Sequence, residues 1–232
     1  MMFIHDDSLK FPTLKQRNLD VGRVYEVLDG SQAGRFYPSI TRVLKAKPKP
    51  ELEAWKARVG PEAAGRESAR ATTRGNSIHS LAECYLSNDQ LPQFGPQVGE
   101  LWSRLRAVID THITTVYAQE QDVYCERLGV AGRMDLLALW DQELSVIDFK
   151  NSKKPKKAEW VEDYFIQSTF YALSVYERTG VMVKQIVVPI VSPSEIQLFV
   201  GRTTNYMRKL VESVDLFYAS YEKELDLQSQ VC

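Results

Sequence analysis

Between Asp122 and Lys150 the apolar residues leave the helical period and begin to alternate. DVYCERL, VAGRMDLLALW and ELSVIDFK read as three successive strands, the last two joined by a tight connection at Asp141-Gln142. Strands this close in sequence pair antiparallel, and the patterns on either side are helical. Upstream, Ile78, Leu81, Ala82 and Tyr85 mark a helix from about Asn76 to Leu86. After a Pro/Gly loop, Val98, Leu101, Trp102, Leu105, Val108, Ile109, Ile113, Val116 and Tyr117 trace one stripe of a longer amphipathic helix. Downstream come a helix from about Ala158 to Arg178 that stops at Gly180, two strands (MVKQIVVPIV and EIQLFVG), and a helix from about Asn205 to Leu225. The order helix, three strands, helix, two strands, helix predicts an α/β fold with a central mixed sheet flanked by helices.

Residues 1–36 read as an arm and a hairpin, RVYEV and RFYPS being β-type runs around DGSQAG, and residues 37–232 as the main domain. The tract after SITRVL is rich in Pro and Gly, which predicts short helices at most. Together with SITRVL it carries Arg42, Lys45, Lys47, Lys49, Lys56 and Arg58 with Trp55 among them. That composition suits single-strand binding, and equally a solvated helical connection. A chain of 232 residues with 44% hydrophobic content needs no disulfide or metal to hold its core. Its three cysteines, Cys84, Cys125 and Cys232, form no CxxC pair and are too few for an iron–sulfur cluster. Neither a membrane span nor a signal sequence is evident, so the expected location is cytoplasmic, the host's cytoplasm for a phage-encoded chain.

The chemistry concentrates on the central strands. Alternation puts Asp148 and Lys150 on one face, about 7 Å apart along the strand. The Asp141-Gln142 turn brings Asp135 across from Asp148. Two carboxylates converging on one point need a positive charge between them, which a hard cation such as Mg²⁺ or Mn²⁺ supplies through oxygen ligands. D-x(12)-D-x-K alone also fits a surface salt bridge. Here, however, both aspartates interrupt apolar runs, where an unpaired carboxylate is costly. His79 and Glu83 share a helical face, and His79 is a third candidate ligand. Gly75 permits close backbone approach, and Arg74 could clamp a phosphate. Lys153, Lys154, Lys156 and Lys157 follow Lys150 closely, a cluster that suits a polyanionic backbone.

Taken in order, YPSITRVL, RGNSIH, ERLGVAGRMD, VIDFK and QSTFY resemble the PD-(D/E)XK nuclease superfamily in its RecB-like exonuclease branch. The similarity is nearest to the mitochondrial genome maintenance exonuclease family and its phage-encoded relatives, and it runs from about Tyr37 to Tyr176. The resemblance implies a restriction-endonuclease-like core in which His79, Asp135 and Asp148 are metal ligands, with the Phe149 carbonyl as a further one. Glu126 matches a family glutamate serving a second metal or orienting a ligand. Lys150 is then the catalytic lysine, and Gln167 and Tyr171 match the helix motif that supports the site and contacts substrate. Arg74, Ser152, Lys153, Lys154 and Arg42 are the expected substrate-binding residues, and residues 40–70 the expected helical gate. Asn151 stands where several relatives have Thr or Ser. The implied activity is Mg²⁺- or Mn²⁺-dependent hydrolysis of DNA from free ends, with single strands preferred. The alternatives are a structure-specific endonuclease on the same fold and a catalytically silent binding module.

Overall fold

Asp141 and Gln142 both take positive φ (49° and 67°), the geometry of a two-residue hairpin turn matched to strand twist. In the computed structural model, which describes residues 2–229 and side chains as far as Tyr221, that turn joins the two central strands. The chain begins with β1 (Ile4–His5), followed by β2 (Leu14–Leu19), β3 (Gly22–Val27) and β4 (Phe36–Pro38). Three helices come next, α1 (Ile40–Lys45), α2 (Pro50–Val59) and α3 (Pro61–Leu86), and then α4 (Pro96–His112). The central strands are β5 (Ile113–Cys125), β6 (Val130–Trp140), β7 (Glu143–Ile147) and the short β8 (Lys150–Asn151). Helix α5 (Glu162–Thr179), strands β9 (Gln185–Val191) and β10 (Ile196–Arg202), and helix α6 (Met207–Ser229) follow.

The main sheet has the order β1-β5-β6-β7-β9-β10, with β8 also paired to β9. Pairings β5–β6, β6–β7 and β9–β10 are antiparallel, while β7 and β8 run parallel to β9 and β1 parallel to β5. The sheet is therefore mixed, with helices on both faces, as the element order predicts. One face carries Met134, Leu137, Val146 and Ile190 and packs against Ile40 of α1, Phe165 and Phe170 of α5, and Leu210 of α6. The other carries Leu136, Ala138, Ile147 and Val187 and packs against Ile78 and Leu81 of α3 and Leu101 and Leu105 of α4. The predicted N-terminal hairpin is present as β3 and β4, and β2 adds a third strand. Tyr37 of β4 stacks on Tyr124 of β5 at 5.4 Å, tying this small sheet to the core.

Two expectations about helices are corrected. The Pro/Gly tract is not broken into short pieces: α3 runs unbroken for 26 residues. Pro50 and Pro61 sit in the first turns of α2 and α3, where a missing N–H costs nothing, and Gly60 at φ 83° makes the only break between them. The second correction is the end of α4. Ile113, Val116 and Tyr117 belong to β5, because the β-branched run Ile-Thr-Thr-Val favours extended backbone from Ile113 onward. Of the cysteines, Cys84 and Cys125 are free, and burial pushes the Cys125 thiol up to about 12. Cys232 lies outside the described residues.

Gly132 fixes how closely α5 and α1 approach β6. A Cβ there would stand 2.9 Å from the Tyr171 ring and 3.0 Å from Ile40. Both neighbours are buried, so neither can retreat. Gly132→Ala is expected to destabilise the fold by about 1–3 kcal/mol in denaturant unfolding, as overpacking does; an unchanged midpoint would show that the layer yields.

Candidate active site

Two turns align three carboxylates across the sheet. From the Asp141-Gln142 turn, Trp140 pairs with Glu143 and Leu136 with Ile147, so the next pair outward sets Asp135 opposite Asp148. From the ERLG turn, Cys125 pairs with Val130, and Gln119 and Gln121 pair with Leu136 and Met134. Glu120 thus stands opposite Asp135 on its other side. Glu120 takes φ 46°, a left-handed conformation that costs a non-glycine residue about 1–3 kcal/mol and clusters at functional sites.

His79 reaches this row from α3. Its Nδ1 is 3.5 Å from Asp135 Oδ2 and 3.7 Å from Glu120 Oε1, and its Nε2 lies 2.9 Å from the Phe149 carbonyl oxygen. A proton on Nε2 donates to that carbonyl, which leaves Nδ1 facing the carboxylates. Burial works against charge on the imidazole, but Asp135 and Glu120 outweigh it and lift His79 to about 9. Asp135 accepts from the Phe149 backbone N–H at 2.8 Å, and burial pushes its carboxyl up. Donor atoms of His79, Glu120 and Asp135 lie within 4.8 Å of one another, a grouping able to hold a divalent cation.

Asp148 is fully buried beside this triangle and is not one of its three members. Lys150 Nζ approaches its Oδ2 to 2.5 Å as an ion pair, yet neither Asp148 oxygen takes a directed hydrogen bond. A buried carboxylate with free lone pairs calls for more positive charge than one lysine provides. Burial disfavours the ammonium of Lys150, but Asp148 and Asp135 hold it above its ordinary value. On α5, Gln167 donates to the Tyr171 hydroxyl at 2.8 Å, and burial close to Asp148 raises that phenol well above its usual range.

A cleft of about 540 Å³ opens over the triangle, lined by Thr72, Gly75, His79, Glu83, Glu120 and Asn151 among others. Arg74 Nε donates to Asn151 Oδ1 at 2.9 Å. A Cβ on Gly75 would meet the Asn151 amide at 2.8 Å, so the glycine brings α3 close to the strand that carries Lys150. Gly75 acts in the middle of α3, not at a helix start. Lys153 leans back toward Glu67 of α3 at 3.5 Å, and Lys154 is exposed.

Three expected site residues have other partners. Glu126 sits in the turn after β5 and accepts from Gln32 at 2.7 Å, while the glutamate that joins His79 and Asp135 is Glu120, six residues earlier. Arg42 lies over the rings of Phe217 and Tyr221, at 5.1 and 5.2 Å, and packs α1 onto α6. Ser152 donates its hydroxyl to the Lys154 carbonyl at 2.6 Å and shapes the lysine loop.

A buried Asp-x-Lys on the central hairpin, with a second aspartate on the neighbouring strand, is the arrangement of the PD-(D/E)XK nucleases. The chain belongs to that superfamily, whose profile matches residues 54–215. Among named relatives it is similar to mitochondrial genome maintenance exonuclease 1 of Mus musculus, 33% identical over 130 residues that cover 51% of this chain and 38% of the mouse protein. The Homo sapiens protein of the same name is 31% identical over 145 residues, covering 57% of this chain and 40% of its own length. The chain thus spans about two fifths of the relatives it matches. Among solved structures, LHK-Exo in complex with dAMP, an alkaline exonuclease from Laribacter hongkongensis, superposes with a TM-score of 0.41 at 14% identity, over 84% of this chain and 92% of the other. No helix among the described residues is long and apolar enough to cross a membrane.

The His79 environment sets a pH dependence. Below about 9 the imidazole carries a proton that an incoming cation must displace, so affinity should rise with pH and fall with acidification. Mn²⁺ titrations followed by calorimetry are expected to tighten by about tenfold from pH 7 to 8 and by about fivefold more from 8 to 9, with proton release. In Glu120→Gln binding should weaken at every pH. Affinity that is flat with pH would remove His79 from the site.

Proposed function

We propose that this chain is a divalent-metal-dependent exonuclease that hydrolyses phosphodiester bonds in DNA from free ends, with single strands preferred. The observation that carries the reading is the buried Asp148–Lys150 pair beside the His79–Glu120–Asp135 triangle, of which His79 and Glu120 line an open cleft. Family membership and the exonuclease names of the relatives support it.

Mg²⁺ (or Mn²⁺) is the cation the donor set favours, being mostly carboxylate oxygen with one imidazole. His79, Asp135, Asp148 and Glu120 would hold it, whereas the Phe149 carbonyl, expected as a further ligand, accepts from His79 Nε2–H and orients the imidazole. When bound, such an ion supplies charge stabilisation at a phosphoryl oxygen and lowers the pKa of water. The chain's own groups do the rest. Lys150 places a fixed positive charge where negative charge develops on the scissile phosphate. Gln167 and Tyr171 brace the row from α5, behind Asp148. Arg74, set by Asn151, offers its remaining N–H groups to a phosphate in the cleft, and Lys153 and Lys154 extend that positive surface along the strand.

Residues 40–70 serve as the gate in this reading. Helix α2 buries none of its residues and adjoins α5 through Lys47–Glu162 at 3.5 Å and Lys49–Asp163 at 2.7 Å, both on its approach segment.

End-labelled linear single strands, blocked at one end or the other, are expected to be shortened progressively in Mg²⁺ and left intact in excess chelator. A circular single strand should survive, and its cleavage would assign an endonuclease instead. Asp148→Ala and Lys150→Ala should each lose about 10²–10³-fold or more in hydrolysis while still binding DNA. Wild-type turnover in either variant would refute the assigned site.

A further inference from the structure

Among the described residues, two groups lie directly against the Lys150 ammonium. Asp148 Oδ2 lies at 2.5 Å, and the face of the Tyr164 ring lies 5.4 Å from Nζ to centroid. Tyr164 belongs to the first turn of α5 and falls three and seven residues before Gln167 and Tyr171. That spacing puts all three on one helical face. Gln167 and Tyr171 bond each other, whereas Tyr164 turns its ring to the lysine. The Tyr164 hydroxyl makes no hydrogen bond among the described residues, so the ring face is the part in use.

A lysine needs such a neighbour for an identifiable reason. Its ammonium is a point charge on four rotatable carbons, and holding it in one place costs rotamer entropy. Asp148 alone attracts the charge but does not fix its direction, since a carboxylate accepts from a wide arc. A ring face on the other side narrows the accessible positions to those between ring and carboxylate. It also remains attractive when Asp148 is shared with a cation, because the ring's quadrupole is not consumed by a competing ligand.

We propose that Tyr164 is a positioning residue for Lys150, holding the ammonium over the substrate side of Asp148 by a cation–π contact. This rests on the reading of Lys150 as the catalytic lysine. Tyr164 acts through the lysine and need not touch the DNA.

The test compares Tyr164→Phe, which keeps the ring, with Tyr164→Leu, which removes it. In the full chain, Tyr164→Leu is expected to lower kcat by about 2- to 30-fold with KM nearly unchanged, as loss of one cation–π contact gives. Tyr164→Phe should retain most of the wild-type kcat. A second readout does not depend on nuclease activity. The Lys150 Hε protons, assigned by their loss in Lys150→Arg, should be ring-shifted upfield in wild type and Tyr164→Phe and return to ordinary lysine values in Tyr164→Leu. If Tyr164→Phe falls as far as Tyr164→Leu, the hydroxyl and not the ring is responsible, and the proposal is overturned. It is equally overturned if the Lys150 shifts are the same in all three proteins. Should the wild-type chain cleave no DNA at all, the functional reading fails while the shift comparison still decides the contact.

Discussion

Like charge gathered at one level of a sheet is the constraint on which the rest of this fold depends. Glu120, Asp135 and Asp148 occupy one row across β5, β6 and the end of β7. Carboxylates so placed repel, and burial makes each charge dearer. In the free chain the row is held by two cations, imidazolium from one side and ammonium from the other: His79 between Asp135 and Glu120, Lys150 against Asp148. The compensation is incomplete, since Asp148 keeps both oxygens free of directed hydrogen bonds. A structure selected only for stability would have replaced such a row with apolar residues, as buried ion pairs often can be.

Each helical layer serves this row from its own face of the sheet. Helix α3 delivers His79 and Arg74, and Gly75 lets it descend until it meets Asn151. Helix α5 delivers Tyr164, Gln167 and Tyr171, and Gly132 removes the side chain that would hold it off. Both glycines lie where a methyl group would collide, so their role is separation between elements and not chain flexibility. The Ile78–Leu81–Leu101 packing on one face and the Phe165–Phe170–Ile40 packing on the other then lock these distances.

How much of this is legible in sequence follows from the turns. The β6–β7 hairpin is readable because a two-residue turn fixes register, and register alone sets Asp135 against Asp148. The same counting from ERLG would have found Glu120: with Cys125 opposite Val130, five steps back reaches the partner of Asp135. Attention to Glu126, inside the turn itself, missed a residue whose local pattern, QEQD, reads as a solvent-facing strand. Helix α3 is obscured for a different reason. Pro and Gly break helices in their interiors, but prolines at first turns are neutral, and of the two glycines within α3 Gly75 is packed against Asn151. Arg42 and Ser152 carry no sequence mark distinguishing a phosphate ligand from a packing or turn residue. Only their neighbours, Phe217 and Tyr221 for one and the Lys154 carbonyl for the other, decide it.

The net charge of −1 takes its meaning from the same pairing. Lys47, Lys49, Lys153 and Lys157 each have an acidic partner: Glu162, Asp163, Glu67 and Glu159. These pairs are largely exposed, and exposed pairs contribute about 0–1 kcal/mol each. A nucleic-acid backbone can therefore take over any of these lysines at little cost, and the displaced carboxylates are rehydrated. The balance favours weak, exchangeable contacts along the strand over a single tight grip. The exonuclease proposed above would require contacts of that kind, because every phosphate held too firmly would have to be released again before the next cut. Near-neutrality overall is thus compatible with a polyanionic substrate, provided the positive charge is local and already partnered.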